Sequence, residues 1–237
     1  MARIKARLGI LLVVIAGVGV FAFACFDGLW IPNKPNANDY PVRGVDVSHH
    51  QGTVDWNAVA AGEVRFVYLK ATEGGDFQDA SFAENLAAAR KAGLECGAYH
   101  YFSLKAPGLL QAQNFIRTVP RGACSLPCAV DLEYTGNSSE RPSAAEFQRQ
   151  LDAFLTAIRA EYGSEPVFYV DDALARDYLG GYPIQRRWVR AVVLGPSSNW
   201  MFWQFTELGK VPGIHGFVDL DVFHGTAAAF DALIRAR

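Results

Sequence analysis

The sequence predicts an α/β fold with mainly parallel strands, closed into a compact barrel that is poor in helix in its second half. Three observations carry this expectation. Short runs rich in Val and aromatic residues recur along the chain. Several of them are apolar at nearly every position, as strands covered on both faces are. Amphipathic segments separate the early runs but scarcely the late ones.

The eight runs are Gly44–Ser48, Phe66–Ala71, Gly97–Phe102, Ala129–Tyr134, Val167–Val170, Trp188–Val193, Met201–Thr206 and Val218–Phe223. The clearest helix lies over Ser143–Tyr162, where Ser143 and Glu146 form a capping-box pattern and Phe147, Leu151, Phe154, Leu155 and Ile158 repeat at helical spacing. A second spans Asp79–Ala92 and stops at Gly93, a residue suited to the left-handed end of a helix. A third covers Leu109–Val119 before Pro120, and a short one lies near Ala173–Tyr178. No internal repeat or low-complexity tract interrupts this order.

The chain divides into three parts. Arg3, Lys5 and Arg7 precede an apolar run from Leu8 to Phe26, the layout of an export signal that places the rest of the chain outside the cytoplasm. Ala22-Phe23-Ala24 offers a cleavage pattern, with Cys25 next, so the chain is either secreted or periplasmic after cleavage or held at the membrane. Retention as an anchor is favoured, because the run exceeds a usual signal core. Residues 1–30 are thus the signal or anchor segment. Residues 31–41, with three prolines and three asparagines, read as a linker. Residues 42–237 form the folded domain, about 195 residues and enough for one sizeable core.

The formal net charge of −2 excludes a nucleic-acid partner held by electrostatics, and confines membrane contact to the N-terminal segment. Four cysteines in an exported chain allow pairing: Cys124–Cys128 or Cys96 with either fits the spacing, and buried thiols fit as well. No P-loop, H-E-x-x-H or dinucleotide fingerprint occurs, so no cofactor is expected. His49 and His50 follow Ser48 too closely for a convincing nucleophile–base pair, and no G-x-S-x-G elbow is present.

Chemistry concentrates in the acids. Asp46 lies in GVDVS, Asp131 and Glu133 in AVDLEYT, and Asp219 and Asp221 in FVDLDVF. Carboxylates in apolar strands are costly unless partnered or used. Residues two apart on a strand share a face, so Asp131 and Glu133 point the same way. Strand ends converge at one mouth of a (β/α) barrel, and several strands would bring their acids to one cavity. Crowding and burial keep a proton on one carboxyl while another stabilises positive charge, the division of labour in glycoside hydrolysis. A hard-cation site is the rival use of such oxygens. No carboxylate-rich loop of that kind accompanies them, and no metal is expected. Tyr99, Tyr169 and Trp203 are the rings expected to face the cavity, with Gln204 beside them as a hydrogen-bonding partner for sugar hydroxyls and acetamides.

Taken together, GVDVSHHQG, FVYLKATEGGDF, GAYHYF, AVDLEYT, MFWQF and VDLDVFHG, in this order, resemble the glycoside hydrolase family 25 lysozymes over about residues 43 to 226. The resemblance implies a flattened, modified TIM-like (β/α) barrel of five βα units followed by mostly antiparallel strands. It implies an N-acetylmuramidase cleaving the β-1,4 bond between N-acetylmuramic acid and N-acetylglucosamine in peptidoglycan, with net retention. Glu133 then matches the general acid and Asp131 the carboxylate that assists the substrate's 2-acetamido group. Asp46 and Asp219 match the flanking acids. The partner is peptidoglycan glycan strands, and a monomer is expected. Two departures stand out: Asp221 occupies a position where the family often has Asn, and the run RRWVRAVVLGP is more basic than the pattern. A silent peptidoglycan-binding protein on the same fold and a hydrolase of another amino-sugar polymer such as chitin are the alternatives.

Overall fold

The computed structural model describes residues 17, 19, 31–197 and 199–235. The expected export or anchor segment therefore lies outside the described residues, apart from two isolated positions. No helix among the described residues is long and apolar enough to cross a membrane.

The elements run β1 (Arg43–Val47), a 3-10 turn (His49–Gln51), α1 (Trp56–Ala60), β2 (Val64–Glu73), β3 (Phe77–Gln78), α2 (Phe82–Lys91), β4 (Glu95–Tyr101), α3 (Gly108–Thr118), β5 (Ala129–Leu132), α4 (Ala144–Tyr162), β6 (Val167–Val170), α5 (Asp172–Tyr178), β7 (Arg187–Arg190), β8 (Phe202–Gly209), β9 (Val218–Phe223) and α6 (Ala227–Arg235). Eight strands close into a barrel in the order β1-β2-β4-β5-β6-β7-β8-β9, with β9 returning to β1 and the short β3 pairing outside on β2. Five βα units lead, and the antiparallel character of the second half is confined to β9, which runs against both β8 and β1. The pairs β6–β7 and β7–β8 are parallel.

Strand alternation splits the barrel into two cores. Val45, Val67, Leu69 and Val130 point outward and pack under the helices, while Phe66, Tyr68, Trp188 and Phe202 fill the interior. The interior rings touch, with Tyr68 and Trp188 centroids 4.8 Å apart and Phe66 and Phe202 5.2 Å apart. Two glycines make room for them. A Cβ on Gly44 would lie 2.3 Å from the Phe66 ring, and one on Gly97 the same distance from Tyr68. The lower barrel is thus an apolar plug. One pleat higher the inward residues change character, to Asp46 on β1, Tyr99 on β4, Asp131 on β5, Tyr169 on β6, Gln204 on β8 and Asp219 on β9. Because β9 runs antiparallel, its early residue Asp219 reaches the same mouth as the late residues of the parallel strands.

The main helices form where the pattern places them. On α4 the buried face is Phe147, Leu151, Phe154, Leu155 and Ile158, and Gly163 closes the helix at φ 68°. Ser143 Oγ accepts from Glu146 N at 3.2 Å, but the Glu146 carboxylate turns to Arg149 and Gln150, so only half of the expected capping box forms. A complete box forms on the 3-10 turn instead, between Ser48 and Gln51. Helix α2 starts three residues later than expected, after Ser81, and the Asp79 carboxylate ties this turn to the 3-10 turn: Oδ1 accepts from Ser81 N at 2.9 Å, while Oδ2 accepts from His49 N at 2.8 Å and pairs with His49 Nδ1 at 2.8 Å. Cys96 is a buried thiol donating to Leu94 O at 3.4 Å, and burial pushes its pKa up to about 12.

Residues 31–41 hold no helix or strand, yet they are docked on the barrel rather than free. Ile31 and Tyr40 pack on a cluster of Trp200, Trp203 and Phe205, and Asn33 donates to the carbonyls of Ala191 and Leu194.

Candidate active site

At the C-terminal mouth of the barrel the polar layer opens into a groove of two arms, each about 330 Å³. Asp46, Tyr99, Asp131, Glu133, Thr135 and Asp219 line both arms, so the acids sit where the arms meet. One arm continues past Tyr169, Trp188, Arg190 and Gln204. The other continues past Ser48, His50, Lys70 and Tyr101. A groove open on both sides of an acidic centre suits an extended chain rather than a small closed ligand.

Each acid is positioned by its strand. Asp46 and Asp219 are directly opposed across the β1–β9 pair and share a side-chain hydrogen bond. Gln204 Nε2 donates to Asp46 Oδ2 at 3.3 Å, and its Oε1 accepts from the Tyr169 hydroxyl at 2.8 Å. Asp131, on β5, is buried, and its Oδ1 has no hydrogen-bond partner among the described residues. Glu133 lies one residue past the end of β5, at the rim. The peptide that follows it is pinned at both polar atoms: Asn137 Nδ2 donates to Glu133 O at 3.1 Å, and Tyr134 N donates to Asp171 Oδ2 at 2.7 Å. Asp171 also caps α5 by accepting from Leu174 N at 2.6 Å.

Burial sets the protonation states. It is the largest cause holding the Glu133 carboxyl up at about 7, with the charge of Asp171 next. Asp219 is likewise held up at about 7, by burial and then by Glu207. Asp46 and Asp131 are raised well above the ordinary carboxyl range by burial, then by Asp219 and Glu133 respectively, while Lys70 favours the ionised form of Asp131. Asp221 is fully buried, its Oδ1 accepting from Trp188 Nε1 at 2.8 Å, and burial raises its carboxyl well above the ordinary range. It lines neither arm of the groove. The Tyr99 and Tyr169 phenols are raised by burial and neighbouring carboxylates, so they remain hydroxyl donors.

Most of the expected residues meet here: Glu133, Asp131, Asp46, Asp219, Tyr99, Tyr169 and Gln204 all line the groove. Trp203 does not, and the expectation for it is corrected. Trp203 and Gln204 are adjacent on β8, so only one can point inward. Gln204 does, and Trp203 packs outward against Tyr40 at 5.8 Å and Trp200 at 5.7 Å, with Nε1 donating to Ala191 O at 2.9 Å. The inward indole is Trp188, in the run that departed from the pattern. Asp171, Arg190 and Glu207 were also missed. Asp171 carried a signal, as an Asp standing between an apolar run and a helical segment. Glu207 carried none. His49 is tied to Asp79, and His50 faces the second arm beside Ser48.

A barrel whose mouth gathers several carboxyls in a two-armed groove, two of them, Glu133 and Asp219, held up at about 7, defines a glycoside hydrolase. The model of the glycosyl hydrolases family 25 matches residues 45–214, and the chain belongs to that family. It is 33% identical over 205 residues to the Escherichia coli K12 protein YegX, described as uncharacterized, covering 82% of this chain and 74% of that one. It is 30% identical over 208 residues to lysozyme M1 of Streptomyces globisporus, covering 81% and 71%. The solved structure of a family 25 glycosyl hydrolase from Bacillus anthracis superposes with a TM-score of 0.78 at 32% identity, over 84% of this chain and 96% of that one.

Proposed function

We propose that this protein is an exported muramidase that cleaves the β-1,4 bond between N-acetylmuramic acid and N-acetylglucosamine in peptidoglycan. One observation carries the reading: of the two carboxyls held up at about 7, Asp219 is hydrogen-bonded to Asp46, and Glu133 stands at the rim where the two arms of the groove meet. Glu133 donates that proton to the glycosidic oxygen as the bond from C1 breaks. The carbonyl oxygen of the substrate's 2-acetamido group closes on C1 as the leaving group departs. Asp131, whose Oδ1 has no partner among the described residues and whose ionised form Lys70 favours, accepts from the acetamido N–H as a carboxylate and stabilises the positive charge that develops there. Water then attacks C1 and yields its proton to Glu133 as the bond from C1 to the acetamido oxygen breaks and the acetamido group is restored, and two inversions give net retention. Asp46 and Asp219 stabilise the same positive charge, while Tyr99, Tyr169 and Gln204 hold the sugar. The basic, apolar N-terminal segment carries the enzyme across the membrane and keeps it there.

The test uses the full chain on purified peptidoglycan, with the fragments reduced by borohydride and weighed by mass spectrometry. Muropeptides ending in reduced muramic acid are expected. Fragments ending in reduced glucosamine would contradict the bond assignment. No fragments from protein that sediments with sacculi would identify a binding protein instead.

A further inference from the structure

The first arm of the groove is lined by six acids, Asp46, Asp131, Glu133, Asp171, Glu207 and Asp219, and by one cation, Arg190. Arg190 ends β7, two residues beyond the inward Trp188, with its Cα opposite that of Gln204 on β8. Alternation and register both send its side chain to the mouth. Glu207 accepts from Arg190 Nε, which fixes one edge of the guanidinium. Among the described residues Nη1 and Nη2 have no hydrogen-bond partner, and the side chain is 39% exposed. The cation of the other arm is arranged differently. Lys70 is 11% exposed, bonded to Glu73 at 2.8 Å and seated 4.9 Å over the Tyr101 ring.

A guanidinium held by Nε presents its two free nitrogens as a planar fork that matches a carboxylate. Those of the lining carboxyls that are ionised repel an anionic strand unless a cation meets the strand's charge. The muramic acid residue bears such a charge on its O3 arm, as the lactyl carboxylate of a bare strand or on the peptide attached to it. Resting on the proposed muramidase activity, we infer that Arg190, oriented by Glu207, selects glycan strands that carry a carboxylate on the muramic acid arm. A neutral amino-sugar polymer gives the fork nothing to bind, so the same residue discriminates against chitin-like strands.

The full chain and Arg190→Gln would be compared on three strands: intact peptidoglycan, peptide-free strands, and peptide-free strands with the lactyl carboxyls capped as methyl amides. For the wild type, KM on the capped strand is expected about tenfold above that on a carboxylate-bearing strand, the size of a charge-assisted contact at a half-exposed site. Preference for peptide-free strands assigns the lactyl carboxylate, and preference for intact strands assigns the peptide. In Arg190→Gln the ratio falls to about one, Arg190→Lys restores part of it, and added salt narrows the wild-type ratio. A wild-type ratio below about twofold, or an undiminished ratio in Arg190→Gln, overturns the inference. If the wild type cleaves no strand, the muramidase reading fails. Sedimentation binding of the same strands still reads the Arg190 preference, because the contact needs no turnover.

Discussion

Replacing Glu133 by Gln removes a carboxyl that the folded chain holds at about 7 against an ordinary 4.5. That difference corresponds to ~3 kcal/mol. The folded state binds this proton more tightly than the unfolded chain, so between about pH 4.5 and 7 the folded state carries more proton and stability falls as pH rises. Below that window the carboxyl is protonated in both states and the penalty is absent. Above it the carboxyl is ionised in both states and the whole penalty is present. Gln has the same shape and no proton to lose. Allowing for the partial hydration of a rim residue, Glu133→Gln should be more stable than wild type at pH 8 by ~2–3 kcal/mol. For a domain of this size that raises Tm by about 4–12 °C. Thermal unfolding followed by circular dichroism would give nearly equal Tm values at pH 4.5 and a higher value for the variant at pH 8. Equal values at both pH values, or a less stable variant at pH 8, would show that the site does not penalise the ionised carboxyl.

Three further perturbations probe separate parts of the site and its support. Asp171 is the largest charge acting to raise Glu133, and Asp171→Asn keeps an acceptor for the α5 cap. The alkaline midpoint of the pH–rate profile should fall by about half a unit, because Glu133 then ionises sooner; an unmoved midpoint would remove Asp171 from the control of Glu133. Gly108 opens α3 against α4, where an added Cβ would lie 1.8 Å from Gln150 O. Gly108→Ala should cost about 1–3 kcal/mol in urea unfolding despite alanine's helix preference, and a neutral result would show that the helix pair yields freely. Trp203→Ala should cost ~3–5 kcal/mol of stability with KM within about twofold of wild type; a tenfold rise in KM would return Trp203 to the groove.

The residues legible in the sequence were those whose own strand announced them. Asp131 and Glu133 stand two apart in an apolar run, and that spacing alone put them on one face. Asp46 and Asp219 were legible as acids, but their opposition depends on β9 turning back antiparallel beside β1, a pairing that no local pattern encodes. Trp203 failed for a specific reason. Choosing it together with Gln204 placed neighbours on one face, and the aromatic that belongs inside, Trp188, sits in a run whose arginines masked its strand character. The reading of residues 31–41 rested on their prolines, which exclude helix but not docking; Ile31 and Tyr40 find partners only once Trp200, Trp203 and Phe205 are assembled. The Arg190–Glu207 contact spans 17 residues and two strands, beyond the reach of sequence spacing. Short elements were lost as well. The α1 helix (Trp56–Ala60) and the two-residue β3 are too brief for periodicity to register.

The measurement that bears most directly on the central claim is turnover of purified peptidoglycan by wild type and Glu133→Gln, with sedimentation on sacculi measured on the same preparations. Glu133 as the proton donor predicts that the variant binds sacculi as well as wild type while its release of reduced-end muropeptides falls at least about 10²-fold, the lower end of what a positioned general acid contributes. Release within about tenfold of wild type would show that the proton comes from another group and would contradict the role assigned to Glu133.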